Sequence, residues 1–280
     1  MDDEQEQPQH WYSTNLVGVP APVLASAAFN AHPQPLHIAG VRESHRGLFA
    51  LLARTADLSE AREVFVHYVS VAFGLQPPGP DEARALGHAE RRRWRSSWRQ
   101  LLQGWGMDSN SPAGAVLKGW VESRFGLVPA YHHAPLRRFP SAEWVRYLEE
   151  KAASRFHGNN IQQQLDLLYE FCQWALQRFG LAQRGAAPRW LTLWRGSNQC
   201  EEQLVGGALR GPRCLLRLNN LVSFSVSADD AGCFGDHVFE AQVPAAKIVV
   251  FPGLLPGQVL QGEQEVLALG GDVEVEIVHV

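Results

Sequence analysis

The chain changes its folding pattern once, near Gly185-Ala186-Ala187-Pro188, and that change limits the architectures open to it. Before this point apolar residues recur at helical spacing. Glu60 to Leu75 (EAREVFVHYVSVAFGL) is predicted as a helix, with Ser59 as its N-cap and Gly74 near its end. In Gln162 to Phe179, Leu165, Leu168, Cys172, Leu176 and Phe179 form one stripe of a core helix. Asn160 is placed to cap its start, and Gly180 to end it in a left-handed conformation. After Pro188, short strands alternate with turns that carry Pro and Gly. They are Trp190–Arg195, Cys214–Leu218, Leu221–Ser225, His237–Val243, Lys247–Phe251, Glu265–Leu269 and Val273–Val278. Strands at this spacing predict a β-sandwich or a partly open barrel. The expected fold is α+β, a mainly helical region 1–187 joined to a β-rich region 188–280, with their independence as domains left open.

A chain of 280 residues can bury a sizeable core, and 45% hydrophobic with 19% charged residues marks a folded protein. A net charge of -4 gives no global reason to expect nucleic-acid binding. The opening MDDEQEQPQH is too acidic and polar for a secretory leader, and no apolar run is long enough for a membrane span. Cys172, Cys200, Cys214 and Cys233 form no CxxC pair, so they read as reduced thiols of a cytoplasmic protein. No HExxH is present, and the adjacent His132 and His133 would diverge on a regular element, so no metal is expected. Neither GxGxxG nor GxxxxGK[ST] occurs, which excludes the Rossmann and P-loop nucleotide cradles.

The run Arg91-Arg92-Arg93-Trp94-Arg95-Ser96-Ser97-Trp98-Arg99 is read as a helix whose stripe of Trp94, Trp98, Leu101, Leu102 and Trp105 enters the core. Its arginines then form a solvated basic face, a reading favoured over nucleic-acid binding, with docking of an acidic protein as a middle option. Asp108-Ser109-Asn110-Ser111-Pro112 is a loop leading into a helix, and its spacing specifies no chemistry. Three strand motifs remain. Leu193-Trp194-Arg195-Gly196 offers an always-charged donor fork beside a glycine that lets a ligand approach the backbone. In LVSFSVS, alternation puts Ser223, Ser225 and Ser227 on one face. In GEQEVLALGG, the same alternation puts Glu263 and Glu265 on one face, and in VEVEIV it does so for Glu274 and Glu276.

Each motif alone is weak, but their order within one β-rich region resembles the arginine–serine–glutamate class of ADP-ribosyltransferases. That class carries an aromatic-Arg-Gly strand, a Ser-x-Ser strand and a Glu-x-Glu strand. Here these read Trp194-Arg195-Gly196, Ser223-Phe224-Ser225 and Glu263-Gln264-Glu265. The segments YSTNLVG, AFNAHP, DSNSPAGAVLKGWVESRFGL, QQQLDLLYEFCQW, RLNNLVSFS and GEQEVLALGGD narrow the resemblance to the dinitrogenase reductase ADP-ribosyltransferases. Trp194 stands where the class commonly has Tyr, and Phe224 where it commonly has Thr.

The resemblance implies a C-terminal sandwich that binds NAD as co-substrate, and transfer of ADP-ribose to an arginine of the nitrogenase iron protein. It implies Glu265 as the carboxylate beside the ribose, Glu263 as the group that meets the arginine, and Ser223 as the residue orienting Glu265. A register slipped by two would substitute Ser225; Ser223 is favoured. Arg195 and Gly196 are implied at the pyrophosphate. Phe234 is implied either against nicotinamide or in the core. The loop Gly253-Leu254-Leu255-Pro256-Gly257-Gln258 corresponds to the target-recognition loop, with Leu254 and Leu255 as contacts if exposed. A PII-type signalling protein is the implied regulator. The same chemistry on another target, net NAD hydrolysis, and a non-catalytic NAD-binding module are the alternatives.

Overall fold

The computed structural model describes residues 15–75, 97–152, 156, 160–180, 189–198, 200–257, 260 and 264–278. The basic segment 91–96, the boundary at 185–188, Gln258 and Glu263 lie outside these residues. The helical part runs α1 (Ala21–Ala25), α2 (Ala27–Ala31), α3 (Val41–Ser44), α4 (Arg46–Leu52), α5 (Leu58–Phe73), α6 (Trp98–Met107) and α7 (Pro112–Phe125). A small hairpin, β1 (Tyr131–His132) and β2 (Ala134–Pro135), precedes α8 (Ala142–Ala152) and α9 (Ile161–Phe179). Then follow β3 (Trp190–Ser197), α10 (Cys200–Gln203), β4 (Leu204–Gly207), β5 (Arg213–Ser225), α11 (Ala228–Gly232), β6 (His237–Pro244), β7 (Ile248–Val250) and β8 (Glu265–Val278).

Helix α9 packs against α3, α5 and α6 and against β7. Its apolar stripe is buried as expected, but so are Gln164, Asp166, Glu170 and Gln173. Buried polar groups need partners, and each of these has one. Gln164 Oε1 accepts from the Trp98 backbone N–H at 3.0 Å, and Asp166 accepts from Trp120 Nε1 at 2.7 Å and from Arg124. Glu170 accepts from the Ile38 N–H at 2.6 Å and pairs with Arg42. On the sheet side, Tyr169 Oη donates to the Ala246 carbonyl at 2.7 Å and Gln173 Nε2 to that of Ile248 at 2.8 Å. Helix α9 thus covers the edge at β7 and satisfies carbonyls that an exposed edge would offer to other chains. One continuous core includes Phe65 and Phe171 from the helices and Leu216, Phe239 and Val266 from the strands.

Local details differ from expectation in ways that have causes. Helix α5 begins at Leu58, two residues before its expected start, because Asp57 rather than Ser59 is its N-cap and accepts from the Glu60 N–H at 2.9 Å. Asn160 precedes α9 with a φ of 52° and makes no side-chain capping bond. Gly74 ends α5 in the left-handed conformation, with φ 61° and ψ 44°; Gly180 ends α9 with a positive φ of 67° but a ψ of -176°, extended rather than left-handed. Strand β4 was absent from the expected set; LVGG is too short and half-exposed to show alternation.

The larger difference lies in the sheet. Cys214–Leu218 and Leu221–Ser225 are one strand, β5, and Glu265–Leu269 and Val273–Val278 are one strand, β8. The two pair antiparallel along their lengths, with a register shift between Leu218 and Leu221. The strand order is β4-β5-β3-β6-β8-β7 with β5 also paired to β8, so the pairings close a circuit β5–β3–β6–β8. Asn219, Asn220 and Gly270 look like strand ends because they form the bulge at which this ladder bends, and Gly271 beside it pairs with Leu218.

The bulge explains its residues. Asn220 Nδ2 donates to the Lys118 and Leu127 carbonyls, both at 2.9 Å, and Asn219 bonds the Ala130 N–H and Tyr131 carbonyl. A side chain at Gly270 would meet the Asn219 carbonyl oxygen at 1.8 Å, and Gly271 has a φ of 109° with Ala25 packed on its Cα. At the far end of the ladder, Glu274 and Glu276 share a face, as expected, and pair with Arg213 in solvent. Gly271→Ala is expected to lower stability by about 2 kcal/mol or more, from overpacking and a disfavoured φ. Urea unfolding of the two proteins measures it.

Candidate active site

The β5–β8 register places Ser225 opposite Glu265 and Ser223 opposite Leu267. Residues opposite or two apart share a face, so Ser223, Ser225 and Glu265 point the same way. Ser223 Oγ donates to Glu265 Oε1 at 2.5 Å, short as expected for a hydroxyl bonded to a carboxylate. Ser225 is used differently. It is buried, and its Oγ accepts from the Ser227 N–H at 3.0 Å, closing the turn that ends β5. Ser227 in turn caps α11 through the Asp230 N–H. Of the three serines on this face, Ser223 is the one hydrogen-bonded to the carboxylate.

Arg195 enters from β3, whose Trp194 lies opposite Ser225. Its Nη1 donates to the Ser223 carbonyl at 2.7 Å, and its Nε is buried with no hydrogen-bond partner among the described residues. Burial pulls this guanidinium below its ordinary pKa, while Cys200 and Glu265 act in the opposite direction. Arg195 is half-buried, and a cationic fork with an unsatisfied N–H suits an anionic ligand.

Gly196 behaves otherwise than a ligand-approach glycine. A side chain there would meet the Ala231 carbonyl oxygen at 2.1 Å, so the position is filled by the protein itself. Gly235 is its counterpart, with Ser197 backbone atoms 2.5–2.7 Å from where its Cβ would be. The two glycines let β3 and the segment after α11 cross in contact. Phe234, next to that crossing, is 70% exposed, which removes the core alternative for it.

Leu254 and Leu255 are corrected outright. They are 0% and 6% exposed and belong to the main core, so they are not contacts for a partner. Among the described residues of that loop the exposed ones are Gly253 and Gly257, both with positive φ. Glu263 lies outside the described residues, and its role remains an expectation from the Glu-x-Glu motif.

The sequence reading missed Trp105. It sits in the buried stripe of α6, as expected, but its Nε1 donates to Ser223 Oγ at 2.9 Å. A buried tryptophan must place its N–H on some acceptor, yet no local signal says which. Helix α6 is fixed at its other end by Gln164, and Arg99 on it donates to the Pro256 carbonyl at 3.0 Å. The helical region therefore supplies a group to the serine and anchors the loop that leads toward Glu265.

A second polar cluster lies next to it. Lys118 is 1% exposed, donates to the Tyr131 carbonyl at 3.0 Å, and lies over the Trp105 ring at 6.0 Å. Burial brings its ammonium down to about 8, opposed by Asp108 and Glu150. The polar loop before α7 takes part, since Asn110 Oδ1 accepts from Lys118 Nζ and from the His133 N–H. His132 and His133 were expected to diverge. They do not, because His133 has a φ of 59°, and both rings reach Glu150.

Comparison with known proteins follows from this geometry. Residues 14–277 match the family model described as dinitrogenase reductase ADP-ribosyltransferase. A protein of Rhodospirillum rubrum named NAD(+)--dinitrogen-reductase ADP-D-ribosyltransferase is 48% identical over 275 residues, covering 98% of each chain. No solved structure matches the chain significantly.

Proposed function

The chain belongs to the dinitrogenase reductase ADP-ribosyltransferase family, and on that premise we propose that it transfers ADP-ribose from NAD to an arginine of the nitrogenase iron protein, reversibly inactivating it. The observation that carries this reading is the hydrogen bond from Ser223 to Glu265, with Arg195 held on the same serine. We read the closed strand circuit as the NAD-binding sandwich of the wider class, and 1–187 as a helical region integrated with it.

The reaction breaks the bond between ribose C1′ and the nicotinamide nitrogen. Nicotinamide leaves with the electron pair, and C1′ acquires oxocarbenium character, as in glycoside hydrolysis. Glu265 accepts a hydrogen bond from a ribose hydroxyl and stabilises the cation electrostatically. Ser223 holds the Glu265 carboxylate in place, and Trp105 holds Ser223. Arg195 binds the pyrophosphate, with its unsatisfied Nε as the donor still to be used. Phe234 is an exposed aromatic wall available to the nicotinamide ring. A guanidinium nitrogen of the target then bonds to C1′, and its proton passes to Glu263, since a protonated guanidinium is a poor nucleophile.

The cytoplasm is the inferred compartment, in keeping with the four cysteines being free thiols. Among the described residues no helix is long and apolar enough to cross a membrane. A PII-type signalling protein is the regulator proposed from the resemblance, and the docking of an acidic partner on the basic segment from Arg91 stays a proposal with it.

Incubation with labelled NAD and purified iron protein is expected to label an arginine of the iron protein; label on other proteins alone would refute the target. Glu265→Gln should cut transfer by about 100- to 1,000-fold. Glu263→Gln should abolish arginine transfer while slow NAD hydrolysis persists, and equal loss of both would contradict the division of labour. Trp105→Phe keeps most of the buried ring and removes one donor. It should lower kcat about 3- to 10-fold, with KM for the protein target and thermal stability little changed.

A further inference from the structure

The β1–β2 hairpin and α8 bring together three metal-binding side chains that the proposed transfer does not use. His132 Nε2 lies 3.0 Å and His133 Nε2 3.3 Å from the same oxygen, Glu150 Oε2. The three ligand atoms all fall within 4.8 Å of one another. Neighbouring residues on a strand point to opposite faces. Here the left-handed backbone at His133, with a φ of 59°, turns the second ring back toward the first, and the ring centroids are 4.7 Å apart.

We propose that His132 Nε2, His133 Nε2 and the Glu150 carboxylate form a zinc site with a fourth position open to water. Imidazole and carboxylate are the ligand types zinc takes, with bonds of about 2.0–2.2 Å. In a tetrahedron of such bonds neighbouring ligand atoms lie about 3.3–3.5 Å apart, near the two nitrogen–oxygen separations observed. His133 and Glu150 are part-buried, which leaves a solvent-side approach for the ion and its water.

The surroundings orient each ligand, as functional metal sites require. Lys118 Nζ donates to His132 Nδ1 at 3.2 Å, which leaves the ring proton on Nε2 facing Glu150; zinc on Nε2 takes the place of that proton, and binding releases one proton from the Lys118–His132 pair. Tyr131 Oη donates to the His133 carbonyl at 2.8 Å, and the Asn110 side chain accepts from the His133 N–H at 3.0 Å. Arg146 Nε donates to Glu150 Oε1 at 2.9 Å. Lys118 and Arg146 are the cations facing the cluster. Arg146 is exposed and can swing away from Glu150. A bound zinc would fasten α8 to the hairpin. The hairpin is in turn held against the β5 bulge by Asn219, and Lys118 links it to Trp105.

The test uses the full-length, tag-free protein, stripped with a chelator and titrated with zinc chloride against a chromophoric competitor. One zinc per chain is expected, with at least 10-fold weaker binding by His133→Ala. Cobalt(II) in place of zinc should give the visible absorption of a four-coordinate site, absent in the variant. Zinc should also raise the Tm of the parent protein and not that of the variant. His133→Gln serves in the same comparison if the alanine variant does not fold. Equal zinc affinity in parent and variant, or no stoichiometric zinc in either, would overturn the site and leave a hydrogen-bonded His–Glu cluster.

Discussion

The pairing of β5 with β8 is the constraint on which the rest of the structure depends. It sets Ser225 opposite Glu265 and so brings Ser223 within reach of that carboxylate. Side chains alternate along a strand, and a slip of one residue would send Glu265 into the core and Val266 to the site. Register is protected on both sides. Val266, Leu267, Ala268 and Leu269 are all buried, β7 pairs with β8 at its other edge, and the bulge opposite Gly270 fixes the phase. The face that carries Ser223 and Glu265 is thus positioned by apolar burial and steric exclusion several residues away from it.

Two asparagines at the bulge and one tryptophan explain why the helices matter to that face. Asn219 and Asn220 use their side-chain amides to hold the α7 backbone and the hairpin against β5. Trp105 then reaches Ser223 from α6. Buried polar groups are costly unless paired, so these contacts fix the helices in one position relative to the strands. The polar residues of α9 act similarly, each spent on a backbone or side-chain partner in another element.

Much of this was legible in the sequence, and the exceptions share a physical character. Periodicity found α5 and α9 to within a few residues, and alternation placed Glu274 and Glu276 together. Asn219-Asn220 and Gly270-Gly271 were read as breaks between strands, because the same residue types serve turns and bulges. Three-dimensional contact could not be inferred. Leu254 and Leu255 look the same in sequence whether they face a partner or the core, and Gly196 whether it faces a ligand or Ala231. The convergence of His132 and His133 rests on a single backbone dihedral that adjacency does not reveal. Trp105 was placed correctly as a core residue, while its second role depends on which oxygen its N–H meets.

In the proposed reaction one carboxylate, Glu265, held by Ser223, faces the ribose while Arg195 holds the pyrophosphate. A crystal structure with intact NAD bound tests it most directly. The account predicts a ribose hydroxyl on the nicotinamide side hydrogen-bonded to Glu265, the Ser223 bridge intact, and pyrophosphate oxygens on the Arg195 guanidinium. A dinucleotide whose ribose lies away from Glu265, or whose pyrophosphate is bound without Arg195, would contradict it.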